Sequence, residues 1–177
     1  SGHQLIITTK KCVGDDKKVY LSYPEFPKDV AEGDTILIND GKLVLQVTGT
    51  DRKTEVTATV EHGGLMESRK GVNLPNTKIS MPCLTEKDLA DLKFAVKHDV
   101  EWIGLSFVRR AEDVIELKNL IKGQGGTSNV VAKIEKPEAV KDLNNIICET
   151  DAVMVARGDL GVEIPMQEVP VVQKLIV

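Results

Sequence analysis

Residues 129–140 read N-V-V-A-K-I-E-K-P-E-A-V and guide the interpretation of the second half of the chain. The small and β-branched residues predict a buried strand, and Pro137 is a residue type favoured in the first turn of a helix. Side chains two apart on a strand point to one face, so Lys133 and Glu135 share a face opposite to that of Ala132. A strand that ends in an ammonium and a carboxylate needs an explanation other than core packing.

Apolar strands and amphipathic helices alternate around this stretch. The predicted strands are 102–108, 130–134 and 152–156, and the predicted helices begin near residues 85, 111, 137 and 167. Strands buried on both faces and separated by helices predict right-handed βαβ units and a parallel sheet. Three parallel strands leave unpaired edges, and the last predicted helix reaches residue 177, so we expect the sequence to be part of a larger domain.

The first half of the chain has the pattern of an all-β unit, with short runs of strand-forming residues separated by turns. These runs are 5–9, 19–23, 35–38, 43–47 and 54–60. Asn39-Asp40-Gly41 lies between two of them, and Asp-Gly between apolar runs is the strongest short-range signal of a hairpin. We therefore predict a small β-barrel or sandwich in this half.

The composition excludes several classes of protein. The chain has 41% hydrophobic and 28% charged residues, as ordinary globular domains do. Its net charge of −4 and its aromatic content of 3% argue against binding to nucleic acid. No apolar run approaches the length of about 20 residues that spans a membrane. Cys12, Cys83 and Cys148 lack the spacing of a metal site and indicate reduced thiols, so we expect a cytoplasmic protein.

Polar side chains follow all three predicted strands of the second half. Because the carboxyl ends of parallel strands meet at one edge of a sheet, Glu135 and Asp159 are expected to lie near each other, with Lys133 between them. Two carboxylates suit Mg²⁺, which prefers oxygen ligands and shares its coordination shell with substrate phosphates. The lysine would stabilise negative charge on an oxygen beside the metal. Ser106 and Arg109 add a hydroxyl and a guanidinium from the first strand.

The same residues allow other interpretations. A single Lys-x-Glu pair is more often a salt bridge than a catalytic pair, but three consecutive polar strand ends favour an active site. Residues 157–159 spell the adhesion tripeptide Arg-Gly-Asp, although a buried strand end is the wrong context for it. Residues 63–71 contain glycines and a lysine, yet lack the Gly-Lys-Ser/Thr ending of a phosphate-binding P-loop.

In four stretches the sequence resembles the pyruvate kinase family. The two most specific are V-A-K-I-E at 131–135 and M-V-A-R-G-D-L-G-V-E at 154–163. The others are N-D-G at 39–41 and R-K-G-V-N-L-P at 69–75. The resemblance runs from end to end of the chain, with the motifs in the family's order.

The resemblance implies an α/β fold, a (β/α)8 TIM barrel with an all-β barrel lid inserted after its third strand. Residues 1–72 would form the lid domain, and residues 73–177 would form part of the catalytic barrel, about strands four to six. The rest of the barrel and a regulatory domain would lie outside this sequence. We therefore expect the full-length protein to be active and residues 1–177 alone to show no turnover.

The resemblance also implies the reaction, which is phosphoryl transfer from phosphoenolpyruvate to ADP to give pyruvate and ATP. The family uses Mg²⁺ and usually K⁺, whose ligands would lie outside this chain. Glu135 and Asp159 would bind the magnesium. Lys133 would contact the transferring phosphoryl group and the enolate oxygen, and either Lys133 or a threonine outside this chain would protonate the enolate.

Further roles follow from the same resemblance. The backbone N–H groups of Gly158 and Asp159, at the start of a short helix, would bind the substrate carboxylate, because helix N-termini suit anions. Ser106 and Phe107 would belong to the substrate-binding residues and would lie close to the metal without being its ligands. The family suggests a homotetramer, and the composition described above leads us to expect neither nucleic acid nor membrane as a partner.

The β-rich half would supply the nucleotide contacts. Lys70 and Asp40 would reach ADP when the lid closes and excludes water. A purely structural turn residue is an equal alternative for Asp40, and a solvated loop charge is the alternative for Lys70. Two rival functions stay open at this point: another magnesium-dependent enolate enzyme, such as an aldolase or lyase, and a binding module without catalysis.

Overall fold

The computed structural model describes residues 2–75 and 77–177 as two compact units. The first unit ends at Met81 and the second runs from Pro82 to Val177. The division falls later than residue 72 because Leu74 is buried in the core of the first unit. Ser1 and Asn76, which belong to the predicted domains 1–72 and 73–177, lie outside the described residues.

The first unit is a six-stranded sheet with one short helix. Its elements are β1 (Gln4–Thr8), β2 (Lys18–Tyr20), α1 (Phe26–Asp29), β3 (Thr35–Ile38), β4 (Leu43–Thr50), β5 (Glu55–His62) and β6 (Val72–Asn73). The strand order is β2-β1-β5-β4-β3-β6, antiparallel except for the β1–β2 pair. Alternate residues of β4 (Leu43, Leu45 and Val47) are buried, which is the period-two pattern of a strand with one face in the core.

The turn between β3 and β4 is the predicted hairpin. Asn39, Asp40 and Gly41 have φ values of 55°, 56° and 80°. Asparagine, aspartate and glycine are the residues that most readily adopt this left-handed conformation. The Lys42 N–H donates to the Asn39 carbonyl at 3.2 Å and closes the turn. The hairpin prediction is therefore confirmed.

The second unit alternates helices with parallel strands. Its elements are α2 (Glu86–Lys97), β7 (Trp102–Leu105), α3 (Ala111–Gly123), β8 (Asn129–Ile134), α4 (Pro137–Lys141), α5 (Leu143–Glu149), β9 (Ala152–Val155), α6 (Arg157–Glu163), a 3-10 turn (Met166–Glu168) and α7 (Val169–Ile176). The strand order is β7-β8-β9, and both pairs are parallel. The parallel βαβ arrangement predicted from the sequence is thus present.

Tertiary contacts adjust the helix bounds predicted from the sequence. The helix predicted from residue 137 is interrupted at Asp142, between α4 and α5. The Asp142 carboxylate accepts a hydrogen bond from the Ala111 N–H at 2.8 Å, at the start of α3. A local break thus lets Asp142 bind a neighbouring helix end.

The two faces of the β7–β8–β9 sheet differ in burial. Val130, Ala132 and Ile134 of β8 are fully buried in the core of the unit. On the opposite face, Trp102 and Met154 are about half exposed, at 51% and 49%. One face of the sheet therefore lies on the helices, and the other is open within this unit.

Within the described residues, no helix is long and apolar enough to cross a membrane.

Candidate active site

Lys133 extends along the open face of the sheet toward the carboxyl ends of the strands. Its Nζ lies 2.6 Å from Glu135 Oε1 and donates to Ser106 Oγ at 2.9 Å. Its side chain passes over Gly104 of β7, where an added Cβ would lie 3.9 Å from the Lys133 Cδ. The structure therefore brings together three predicted site residues, and the ammonium turns away from the helices.

Glu135 is almost completely buried, with a side chain 2% exposed, and both of its oxygens have partners. Oε1 faces the Lys133 ammonium, and Oε2 accepts a hydrogen bond from the Phe107 N–H at 2.9 Å. A buried charge is costly unless it is paired and hydrogen-bonded, and this carboxylate meets both conditions. Its position is therefore fixed by the neighbouring strand end.

Phe107 has an unusual backbone conformation. Its φ is 56°, a left-handed value that is uncommon for a bulky residue and is maintained only where the surrounding structure imposes it. In this conformation the Phe107 N–H donates to Glu135, and the residue as a whole is 56% exposed. Phe107, predicted to lie near the metal, thus acts in this structure through its backbone.

Cys83 contacts the same strand end. Its sulfur lies 3.7 Å from the Ser106 carbonyl oxygen and 3.8 Å from that of Phe107. Burial, followed by the negative charge of Asp113, raises the pKa of the Cys83 thiol to about 12. The group is therefore a neutral thiol at physiological pH, and sequence reasoning gave no indication of its place beside the site.

Gly158 and Asp159 lie in the first turn of α6, which begins directly after β9. Both residues are exposed. The first N–H groups of a helix have no acceptor within the helix, so these amides are available to an anion. The Ala156 N–H donates to the Ile134 carbonyl at 3.3 Å and joins the carboxyl ends of β8 and β9.

Arg109 lies at the start of α3. Its N–H donates to Asp113 Oδ2 at 2.8 Å, and its Nε lies 3.9 Å from the same oxygen. The sequence led us to expect its guanidinium among the polar groups of the strand ends. The structure places it beside Asp113, a buried residue in the first turn of α3.

Lys136 and Glu163 form a buried ion pair that sequence reasoning missed. Lys136 Nζ lies 2.5 Å from Glu163 Oε1. Lys136 directly precedes the proline that opens α4, and Glu163 is the last residue of α6. The one signal in the sequence was that Glu163 lies four residues after Asp159, the spacing of one helical turn.

The two predicted nucleotide contacts belong to the first unit. Asp40 is exposed in the hairpin turn after β3, with a φ of 56°. Lys70 is exposed, and its Nζ lies 3.0 Å from Glu67 Oε2. Both positions are accessible to a ligand.

The acidic groups suit a metal that is only partly held by protein. Among residues 2–75 and 77–177, no cluster of three or more His, Cys, Asp or Glu side chains could hold a metal ion. Magnesium typically uses one or two carboxylates and completes its shell with water and substrate phosphates. Glu135 and Asp159 at the carboxyl ends of adjacent strands fit that donor set.

Comparisons with known proteins agree with the motifs. The sequence model of the family described as "Pyruvate kinase, barrel domain" matches residues 1–177. Pyruvate kinase of Geobacillus stearothermophilus is 41% identical over 99% of this chain and 30% of its own length. Pyruvate kinase of Thermotoga maritima is 45% identical over 99% of this chain and 38% of its own length. That of Clostridium acetobutylicum is 43% identical over 97% of this chain and 36% of its own length. The chain spans about a third of the length of the curated relatives it matches.

Proposed function

The chain belongs to the pyruvate kinase family, and we propose that the protein containing it transfers a phosphoryl group from phosphoenolpyruvate to ADP. The products would be pyruvate and ATP. The observation that carries this proposal is the Lys133 ammonium, held between Ser106 and Glu135 at the carboxyl edge of a parallel sheet. Phosphoryl transfer depends mainly on positioning and on neutralising charge, and this edge supplies both.

The proposal includes a larger catalytic fold. The β7–β8–β9 sheet would form about strands four to six of a (β/α)8 barrel, and the first unit would be its lid. The half-exposed Trp102 and Met154 support this assignment, because side chains on the inner face of a barrel are packed by the other strands. The assembled protein would be a homotetramer, as the family suggests.

Lys133 would be the principal catalytic residue. An ammonium carries three N–H donors, of which Ser106 and Glu135 engage two in this structure. The third would contact the transferring phosphoryl group and the enolate oxygen, since the side chain is 26% exposed. Lys133 is also a candidate to protonate the enolate carbon, although a threonine outside this chain is the alternative.

Glu135 and Asp159 would hold Mg²⁺, and the N–H groups of Gly158 and Asp159 would bind the substrate carboxylate. When bound, magnesium would supply the positive charge that offsets phosphate and enolate oxygens. The Phe107 N–H fixes one oxygen of Glu135, so this carboxylate needs little rearrangement on binding. The family's K⁺ would bind to residues outside this chain.

Nucleotide binding would involve Lys70 and Asp40. Lys70 is paired with Glu67, but exposed ion pairs are weak, typically about 1 kcal/mol or less, so a nucleotide phosphate can replace this partner. Asp40 is presented at the tip of a hairpin and would contact the nucleotide through its carboxylate.

An assay of the full-length protein with phosphoenolpyruvate, ADP and Mg²⁺ tests the proposal. We expect pyruvate and ATP to form in equal amounts, to require ADP, and to cease when a chelator removes the metal. A full-length protein that forms no ATP and does not bind ADP would favour an aldolase or lyase instead. Residues 1–177 alone should show no turnover in the same assay.

A further inference from the structure

The buried ion pair between Lys136 and Glu163 adjoins the candidate site, because Lys136 directly follows Glu135 in the chain. The Nζ–Oε1 distance is 2.5 Å, and the side chains are 10% and 2% exposed. Removing two charges from water is costly, so apolar residues of similar volume often stabilise a protein as well as a buried ion pair does. Stability alone therefore does not account for two charges at this position.

Each partner of the pair is closely joined to a proposed magnesium ligand. Lys136 is the next residue after Glu135, and Glu163 follows Asp159 by one turn on the same side of α6. Helix α6 has only seven residues, and its buried side chains are Leu160 and Glu163. The Lys136–Glu163 pair, together with the buried Leu160, would therefore restrain the rotation of α6 about its axis and with it the position of Asp159.

Lys136 also lies near the residue that holds the other ligand. Its Nζ is 5.9 Å from the centroid of the Phe107 ring, within the range of a cation–π interaction. Phe107, whose backbone is left-handed, donates its N–H to Glu135 Oε2 at 2.9 Å. One buried ammonium is thus linked to Glu135 through Phe107 and to Asp159 through Glu163.

We propose that Lys136 and Glu163 are positioning residues that set the relative placement of Glu135 and Asp159 for a divalent cation. This inference rests on the proposed function, because it assumes that these two carboxylates share one ion. Neither Lys136 nor Glu163 needs to touch the substrate; both act through the ligands they are joined to.

The test uses the full-length protein and Mn²⁺ alone as the probe, with free Mn²⁺ measured by its paramagnetic resonance signal. The variant K136M/E163L replaces the ion pair by apolar side chains of similar volume. We expect it to keep its Tm and its KM for ADP but to bind Mn²⁺ at least about tenfold more weakly, the scale of losing a residue that orients a metal ligand. A purely structural pair would leave the Mn²⁺ affinity unchanged.

Lys118→Met is the matched control. Lys118 pairs with Asp151 at 2.9 Å, just before β9 and therefore at the amino end of the same sheet. Its loss removes an ion pair from the same unit without touching the proposed metal ligands. The control should bind Mn²⁺ like the wild type.

Binding of Mn²⁺ by K136M/E163L within about twofold of the wild type would overturn the proposal, because an orienting residue should cost about 10-fold or more. If the double variant does not fold, the Mn²⁺ affinity of Glu163→Asp tests the proposal instead. This substitution keeps the negative charge and shortens the side chain by one methylene, which weakens its contact with Lys136. A several-fold loss of Mn²⁺ affinity in Glu163→Asp at unchanged Tm would support the positioning role of the pair, and an unchanged affinity would refute it. A wild-type protein that binds no Mn²⁺ would refute the proposed metal site itself, which is a different result from equal binding by wild type and variants.

Discussion

The two ends of the β7–β8–β9 sheet each hold an ion pair whose carboxylate also accepts a hydrogen bond from a backbone N–H, but the two pairs differ in burial. At the amino end, Asp151 Oδ2 accepts from the Val130 N–H at 2.8 Å, and Thr150 Oγ1 donates to the Val130 carbonyl at 2.9 Å. At the carboxyl end, the Lys133 ammonium binds Ser106 and Glu135. The Glu135 side chain is 2% exposed, whereas that of Asp151, which pairs with Lys118 at the amino end, is 33% exposed.

This difference distinguishes the amino end of the sheet, which has a structural role, from the carboxyl end, where we propose that the reaction takes place. Side chains that bind backbone groups satisfy donors and acceptors that the fold itself leaves unpaired. Burying a carboxylate as deeply as Glu135 is costly even when it is paired, so stability alone does not account for the Lys133–Glu135 pair. Ligands of parallel α/β sheets bind at the carboxyl ends of the strands, where this buried pair lies.

The largest expected effect is that of Lys133→Met at the carboxyl end. Loss of the ammonium removes the charge that faces the phosphoryl group, so kcat of the full-length protein should fall by about 10³-fold or more. Steady-state assays with phosphoenolpyruvate and ADP measure this, with circular dichroism as the check on folding. Lys118→Met, at the amino end, should leave kcat unchanged. A kcat for Lys133→Met within about tenfold of the wild type would mean that Lys133 is not catalytic.

Glu135→Gln should act mainly on the metal. The glutamine oxygen can still accept from the Phe107 N–H, but the negative charge is lost. Even residues that only orient a metal ligand cost about 10–100-fold in affinity, so the Mg²⁺ concentration for half-maximal activity should rise by about 100-fold. A magnesium titration of the wild type and the variant gives the value. An unchanged Mg²⁺ concentration for half-maximal activity would mean that Glu135 does not bind the metal.

Thiol labelling is expected to distinguish Cys83 from the other cysteines. Its pKa of about 12, raised first by burial, keeps it protonated at pH 8, whereas Cys12 and Cys148 are exposed. Because the thiolate is the reactive form, maleimide should modify Cys83 at least about tenfold more slowly, as peptide mass spectrometry can measure. Its labelling rate should increase as the pH rises toward 12. Equal rates at the three cysteines would contradict the described packing against the strand end.

Asp151→Ala, at the amino end, should have the smallest effect. The hydrogen bond from the Val130 N–H, followed by that from Lys118, lowers the pKa of Asp151 below its ordinary value. Loss of the Val130 bond should reduce the free energy of unfolding by about 1 kcal/mol without changing kcat. Urea unfolding at pH 7 and assays below the transition test both expectations.

The pH dependence of this effect has a defined sign. A lowered folded-state pKa stabilises the protein fully above the unfolded value of about 3.9, and this stabilisation is lost as the pH falls through the lower folded-state value. The difference between wild type and Asp151→Ala should therefore be constant from pH 7 to about 5 and shrink below about pH 4. A difference that grows on acidification would contradict the assigned hydrogen bonds.

Local patterns in the sequence predicted the elements that depend on neighbouring residues. The apolar run before Lys133 and the proline after it were enough to place β8 and the start of α4. The hairpin at 39–41 was predictable because Asn-Asp-Gly tolerates positive φ. The spacing of Lys133 and Glu135 was enough to predict that they lie together, since strand geometry is regular.

Features that depend on distant contacts could not be predicted. Lys136 and Glu163 are 27 residues apart, and in the sequence each resembles an ordinary solvent-exposed charge at a helix end. The left-handed φ of Phe107 has no sequence signal, because a bulky side chain disfavours it and only the surrounding structure imposes it. The break at Asp142 likewise depends on a hydrogen bond to the start of α3.

A crystal structure of the full-length protein with Mg²⁺ and oxalate, a stable analogue of the enolate, tests the central claim most directly. Glu135 and Asp159 should each give an oxygen to one ion at about 2.1 Å, with the Lys133 ammonium facing the oxalate. An ion bound by only one of these carboxylates, or an ammonium directed away from the oxalate, would contradict it.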